Sequence, residues 1–322
     1  MNILFITEQG ASVKKFSERI IVSKDGTELT DIPVHKTSAV IIFGNVQVST
    51  QVLSLLASNK ITVTYLYFNG KLKCQSIPPC DKNLDLRYLQ YQACIEDDFV
   101  IQIIKQLLKD KIESEIELYR NNRIKNESFT LTEIKHRMDY FKREIDNAED
   151  YNQLLGLEGS ASKQHFDFYS YLFLKDLKFT TRTKRPPKDE VSALLSLGYT
   201  LLLPIINSFC HAAGLDIYTG FLHKMDYNRP SLALDILELF RAPIVDRFVL
   251  TSCNLSIFNK NDFLNTEQRG YYLKENEFKK FLVYWNKFIA APELDFYNQL
   301  NFAVTNFTKI IRERQIFSLR KI

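Results

Sequence analysis

The sequence predicts an α+β chain: a small N-terminal β-domain followed by a larger all-α domain. Three observations carry that prediction. Short β-branched runs punctuated by turn residues fill the first 80 positions. No proline stands between Pro79 and Pro186, as a mostly helical stretch requires. From Leu84 onward the apolar residues recur at helical spacing, as in Ile101, Ile104, Leu107, Leu108, Ile112, Ile116 and Tyr119.

The expected strands are Ile3–Thr7, Arg19–Ser23, Ala39–Phe43 and Ile61–Tyr67, separated by turns at Gly10, Asp25-Gly26, Gly44-Asn45 and Asn69-Gly70. Asp-Gly tolerates positive φ at both central positions, so Lys24–Thr27 reads as a hairpin turn. Ser49–Ser58 reads as a short helix with Val52, Leu55 and Leu56 on one face and Ser49 or Thr50 as its cap. Pro78-Pro79 breaks the pattern, which sets the boundaries at 1–80 for the β-domain, 81–86 for a linker and 87–322 for the helical domain. Beyond Ser160 the chain reads as helical, with loops at 180–187, 218–230 and 259–270.

Composition narrows the class. The 322 residues are 45 % apolar and 25 % charged, which excludes a disordered chain, a collagen-like fibre and a disulfide-stapled miniprotein. Five cysteines with no CxxC pair argue against a zinc ribbon and for free thiols. With no basic, apolar leader at the N-terminus and no uninterrupted apolar run near membrane-spanning length, a cytoplasmic protein with no membrane partner is expected. The net charge of +4 is unevenly spread: +3 over residues 1–90, −5 over 91–158 and +6 over 159–322.

Three places invite chemistry. Gly156-Leu157-Glu158-Gly159 puts an acid between two glycines, suggesting a close approach with Glu158 near a helix start. Acids also favour first helical turns for electrostatic reasons alone. His223 ends Gly220-Phe221-Leu222-His223, where an imidazole among aromatics serves either as a hydrogen-bonded core residue or as a ligand. The helix expected from the cap Ser231 carries Asp235 and Glu238 one turn apart among apolar neighbours. Buried acids must be paired or bound to a cation, and salt bridges to Arg229, Arg241 or Arg247 would serve as well as function. Glu158, His223, Asp235 and Glu238 together make an oxygen-rich set with one imidazole, suited to Mg²⁺ or Mn²⁺ and to phosphodiester chemistry. His-Glu-x-x-His, the P-loop and the dinucleotide fingerprint are all absent. Between the first two sites lie Lys175, Lys178, Arg182, Lys184, Arg185 and Lys188 against the single acid Asp176. Such a run is a solvated surface or a grip on a phosphate backbone.

The order of these segments resembles the CRISPR-associated protein one family, the integrases and endonucleases of spacer acquisition. The resemblance runs nearly end to end. It is carried by Thr7–Ala11, Val34-His35-Lys36, Val40–Gln51, Leu157-Glu158-Gly159, Arg185–Asp189 with Ala193–Ser196, Gly214-Leu215-Asp216, Gly220–His223 and Arg229–Asp235. It implies an N-terminal domain that pairs in a homodimer and a helical catalytic domain. Glu158, His223 and Asp235 would hold the metal, with Glu238 as an auxiliary catalytic carboxylate and Arg182, Lys184, Arg185 and Lys188 binding double-stranded DNA. It also implies a partner, CRISPR-associated protein two, joining two dimers in a heterohexamer. Ser192 and Lys163 depart from the commonest pattern, where Asn and Arg are frequent. A non-catalytic DNA-binding scaffold and a repair nuclease for branched DNA are the competing readings.

Overall fold

The computed structural model describes residues 2–67, 72–79, 84–122, 130–177, 179–183 and 186–321. The N-terminal part comprises β1 (Asn2–Ile6), β2 (Ser12–Phe16), β3 (Arg19–Lys24), β4 (Thr27–Pro33), β5 (Thr37–Phe43), β6 (Gln47–Val48), α1 (Thr50–Ser58), β7 (Val63–Leu66) and β8 (Leu72–Ser76). They form two sheets, ordered β1-β5-β7-β8 and β4-β3-β2-β6. Asp25 and Gly26 take φ of 49° and 79° in the β3–β4 turn, as the hairpin prediction requires. Ser49 caps α1, its hydroxyl accepting from the Val52 N–H at 3.4 Å.

The central strand β5 is parallel to both its neighbours, β1 and β7. Its sequence Ala-Val-Ile-Ile-Phe is an unbroken apolar run because it is buried on both faces. Val40 and Ile42 pack with Leu4, Ile6, Val13, Ile20, Val52 and Leu55 between the sheets and α1. Ala39, Ile41 and Phe43 point the other way and join the core of the helical part. Phe43 meets Phe278 edge-to-face, and Glu8 pairs with Lys279 at 2.9 Å.

The remainder contains α2 (Leu84–Cys94), α3 (Asp97–Arg120), α4 (Leu131–Asn147), α5 (Tyr151–Ser170), α6 (Glu190–Ala213), α7 (Ser231–Phe240), α8 (Arg247–Asn254), β9 (Phe263–Thr266), β10 (Gly270–Leu273), α9 (Glu275–Ile289) and α10 (Phe296–Glu313). The expected α+β order is present, with three corrections. The expected linker 81–86 is already helical from Leu84, and residues 81–83 lie outside the described residues. The second part is not all-α, because β9 and β10 form a hairpin. This hairpin docks on the basic loop: Tyr271 donates to the Pro187 carbonyl at 3.0 Å, and a side chain at Gly270 would strike that carbonyl. The helix around Glu158 starts at Tyr151, not beside the glycines, because Asp150 caps it through the Gln153 N–H.

Helix α6 is long and apolar enough by composition to cross a membrane, yet it runs through the core with Leu194, Leu195, Leu201, Leu202, Ile205 and Ile206 fully buried. Between α7 and α8 the chain widens into a π-helical turn, Arg241–Asp246, around Pro243. The basic C-terminal tail folds back onto α3. Leu319 is buried, its N–H bonds Asp110 at 2.7 Å, and Arg320 pairs with Glu117. Cys210 and Cys253 are buried in apolar surroundings that push their thiols up to about 12, consistent with inert packing.

Candidate metal centre

Helix α7 begins at Ser231, with Pro230 rather than Ser231 in the capping position. Ser231 instead ties down the preceding loop, its hydroxyl donating to the Lys224 carbonyl at 3.0 Å. Gly220 lies directly against this helix start. A Cβ there would stand 2.6 Å from the Ser231 carbonyl carbon, so only glycine fits. This contact brings the 220–223 turn over the first turns of α7 and onto Asp235.

Asp235 is fully buried. One oxygen accepts the backbone N–H of Phe221 at 2.6 Å and of Leu222 at 3.1 Å. The other accepts the backbone N–H and the Nδ1 of His223, both at 2.8 Å. Burial raises this carboxyl above its ordinary range, while His223 and the backbone donors oppose the rise. None of the arginines considered as partners from sequence reaches it. With Nδ1 committed to Asp235, the Nε2 of His223 is the ring nitrogen left for a ligand, an arrangement carboxylates commonly impose on metal-binding imidazoles.

One turn on, Glu238 is 3 % exposed. Its Oε1 lies 3.0 Å from the Arg241 guanidinium and its Oε2 lies 2.8 Å from Lys111 Nζ. The Lys111 contact is a short, buried ion pair. Burial pushes Glu238 up, but Arg241 and Lys111 together pull it down to about 2. Glu158 reaches the same lysine from α5: Lys111 Nζ donates to its Oε1 at 2.6 Å, and Ser162 donates to that oxygen at 2.8 Å. Burial raises Glu158 and Lys111 outweighs it, so its pKa is lowered. Glu158 and Glu238 also feel each other electrostatically, and His223 acts on Glu238.

The four residues singled out from sequence therefore gather around α7, with unequal duties. Asp235 spends both oxygens on the chain's own donors. Glu158 and Glu238 both pair with Lys111, and His223 keeps its Nε2 outside the Asp235 contact. No three His, Cys, Asp or Glu side chains among the described residues form a ready cage; Lys111 stands between the two glutamates. The glycines beside Glu158 make no close contact. Both sit mid-helix on an open face, where an added Cβ would meet nothing within 4 Å, correcting the expected tight approach.

Of the DNA-binding candidates, Arg182 turns inward, which corrects its expected role. Its guanidinium donates to the Thr183 and Ser192 carbonyls and the Ser196 hydroxyl, and lies over Tyr199. Lys188 is exposed. Lys184 and Arg185 lie outside the described residues. Ser192, the departure from the commonest family pattern, lies within this arrangement and bonds the Thr183 N–H at 3.2 Å.

No motif marks Lys111 in the sequence, although it and Glu115 interrupt the apolar stripe of α3, and charges on a stripe are the available signal. Behind it lies a second buried network. His165 bonds Tyr119 at 2.7 Å and Asp246 at 3.1 Å, and Asp246 also accepts from Tyr199. Arg241 lies over the Tyr199 ring at 4.8 Å and so links this network to Glu238.

The family model described as CRISPR associated protein Cas1 matches residues 4–287. A CRISPR-associated endonuclease Cas1 of Thermodesulfovibrio yellowstonii is 35 % identical over 296 residues, covering 90 % of this chain and 92 % of the relative. One from Chlorobaculum tepidum is 33 % identical over 290 residues, covering 88 % and 84 %. Among solved structures, a CAS1 protein from Thermotoga maritima superposes with a TM-score of 0.83 at 21 % identity, over 98 % of this chain and 99 % of that one. A casposase bound to its integration product gives 0.79 at 19 % identity, over 100 % and 96 %. The match over most of the chain, the two relatives and the fold agree: the chain belongs to the CRISPR-associated protein Cas1 family.

Proposed function

We propose that the chain is a divalent-metal-dependent DNA integrase and endonuclease of CRISPR adaptation, joining short DNA fragments into a repeat array. The observation that carries the reading is the division of labour on α7. Asp235 fixes His223, while Glu238 of α7 and Glu158 of α5 converge on Lys111. Glu158, His223 and Glu238 would hold the cation, and Asp235 positions the imidazole instead of ligating. Mg²⁺ or Mn²⁺ held there supplies a Lewis acid for the scissile phosphate and lowers the pKa of the attacking hydroxyl.

The reaction is a transesterification. The 3′-hydroxyl oxygen of the incoming fragment bonds to phosphorus as the P–O bond to the target strand's 3′ oxygen breaks, and the hydroxyl proton leaves to solvent. One phosphodiester forms for each one lost, so no nucleotide need be hydrolysed and no P-loop is required. Arg241 and Lys111 hold Glu238 ionised, and Asp235 keeps the His223 ring in one orientation. The exposed Lys188 and its loop would meet the DNA backbone. The N-terminal domain, residues 1–80, would pair in a homodimer. CRISPR-associated protein two would be the further partner; a solved neighbour of this fold is a Cas6-RT-Cas1–Cas2 complex.

A second reading has an observation in its favour: both glutamates already pair with cations of the chain, as a non-catalytic DNA-binding scaffold would have them. Strand transfer into a repeat-containing plasmid separates the two. The integrase reading expects Mn²⁺-dependent joining that Glu158→Ala and His223→Ala abolish; a scaffold gives no joined product from the wild type.

A further inference from the structure

The cations of this centre bear on how it loads. Lys111 is buried, with its ammonium 2.6 Å from Glu158, 2.8 Å from Ser162 and 2.8 Å from Glu238. Arg241 lies 3.0 Å from the second Glu238 oxygen. Two carboxylates thus face two permanent cations, and the formal charge of the four groups is zero. Asp235, held by His223 and three backbone N–H groups, and Glu115, whose neutral form burial favours, stand outside these four contacts.

Affinity for hard divalent cations follows the number of negative ligands. A dication entering here meets carboxylates already neutralised and leaves the pocket with an excess of two positive charges. A DNA phosphate brings the missing negative charge to the same place. Resting on the metal-dependent reading above, we infer that Lys111 is a built-in counter-charge that couples cation binding to DNA binding: the centre takes Mg²⁺ or Mn²⁺ weakly alone and tightly once a phosphodiester lies beside it. Ser162 strengthens the case, since its hydroxyl accepts from Lys111 and donates to Glu158, holding the two together. Lys111 acts through the carboxylates and is a positioning residue. Linkage requires the reverse effect as well, so the cation must tighten DNA binding by the same factor.

The test measures Mn²⁺ affinity of the full chain by electron paramagnetic resonance of free Mn²⁺, with and without a short blunt DNA duplex at constant ionic strength. Glu238→Gln reports the Mn²⁺ held by the DNA itself. Wild type should gain about tenfold or more in Mn²⁺ affinity with DNA, within the range typical of coupled sites. Lys111→Gln, which removes the charge and keeps a hydrogen-bonding group, should bind Mn²⁺ about tenfold more tightly than wild type without DNA and lose most of the DNA-dependent gain. Equal wild-type affinity with and without DNA would overturn the inference, and that comparison needs no folded variant. A Lys111→Gln protein that folds by circular dichroism yet binds Mn²⁺ no more tightly than wild type would also overturn it. Wild type that binds no more Mn²⁺ than Glu238→Gln under either condition would instead remove the metal-dependent reading and the inference with it.

Discussion

Asp235 holds His223 twice, its Oδ1 accepting both the backbone N–H and the ring Nδ1 at 2.8 Å. One carboxylate oxygen thereby fixes where the loop sits and which ring nitrogen faces outward. Asp235→Asn cannot accept at all these positions, and its amide N–H₂ opposes at least one backbone donor. The expected loss is about 1–3 kcal/mol of stability and roughly 10–100-fold in strand transfer. Urea unfolding and a strand-transfer assay on the same preparation check both; unchanged values would show that the double contact has no energetic weight.

The glycines of this region should respond in opposite senses. Gly220→Ala drives a methyl group into the Ser231 backbone, and a clash of this kind costs about 1–3 kcal/mol. Gly156→Ala and Gly159→Ala add a Cβ to open helical positions, which should stabilise by up to about 1 kcal/mol each. Denaturant midpoints of the three variants decide it.

Glu238 makes stability depend on acid pH. Its carboxyl is lowered from an ordinary 4.5 to about 2 in the folded chain. A depressed folded-state value means the folded chain binds this proton less readily than the unfolded one. The stabilisation is complete above 4.5 and fades as pH falls from there towards about 2. The stability difference between wild type and Glu238→Gln, measured by urea unfolding, should therefore shrink across that window; a constant difference would contradict the ion pairing.

The basic residues divide into packing and surface. Arg314 pairs with Glu96 and Arg320 with Glu117, so alanine at either should leave the salt dependence of DNA binding unchanged. Leu319→Ala should destabilise by about 2–5 kcal/mol as a buried truncation. Lys188→Ala should weaken DNA binding and reduce the slope of affinity against salt by about one phosphate contact. Salt titrations of DNA binding separate the two groups.

The sequence made local and ordered features legible. The β5 run, the Ser49-capped α1 and the Asp-Gly hairpin each depend on residues a few positions apart, and all three are present. Glu158, His223, Asp235 and Glu238 were legible as a set through the succession of their motifs. What sequence did not show is who pairs with whom across the chain. Lys111 meets Glu158 from another helix, and His165 meets Asp246 across 81 positions. Arg182 looked like one more charge in a basic run because its burial depends on Tyr199 and Ser196 of α6. The β9–β10 hairpin lies where the sequence predicts a loop with a helix beyond, since four-residue strands are too short for periodicity to show. The hold of Asp235 on the 221–223 backbone is not legible in the sequence, because backbone donors leave no side-chain pattern.

The most direct test of metal-dependent joining at this centre uses a labelled fragment bearing a 3′-hydroxyl and a repeat-containing plasmid in Mn²⁺, comparing wild type with His223→Ala. The wild type should give a covalent joined product, and the variant should lose at least about 100-fold, consistent with a removed catalytic group. A folded His223→Ala protein that joins DNA at the wild-type rate would contradict the role assigned to this centre.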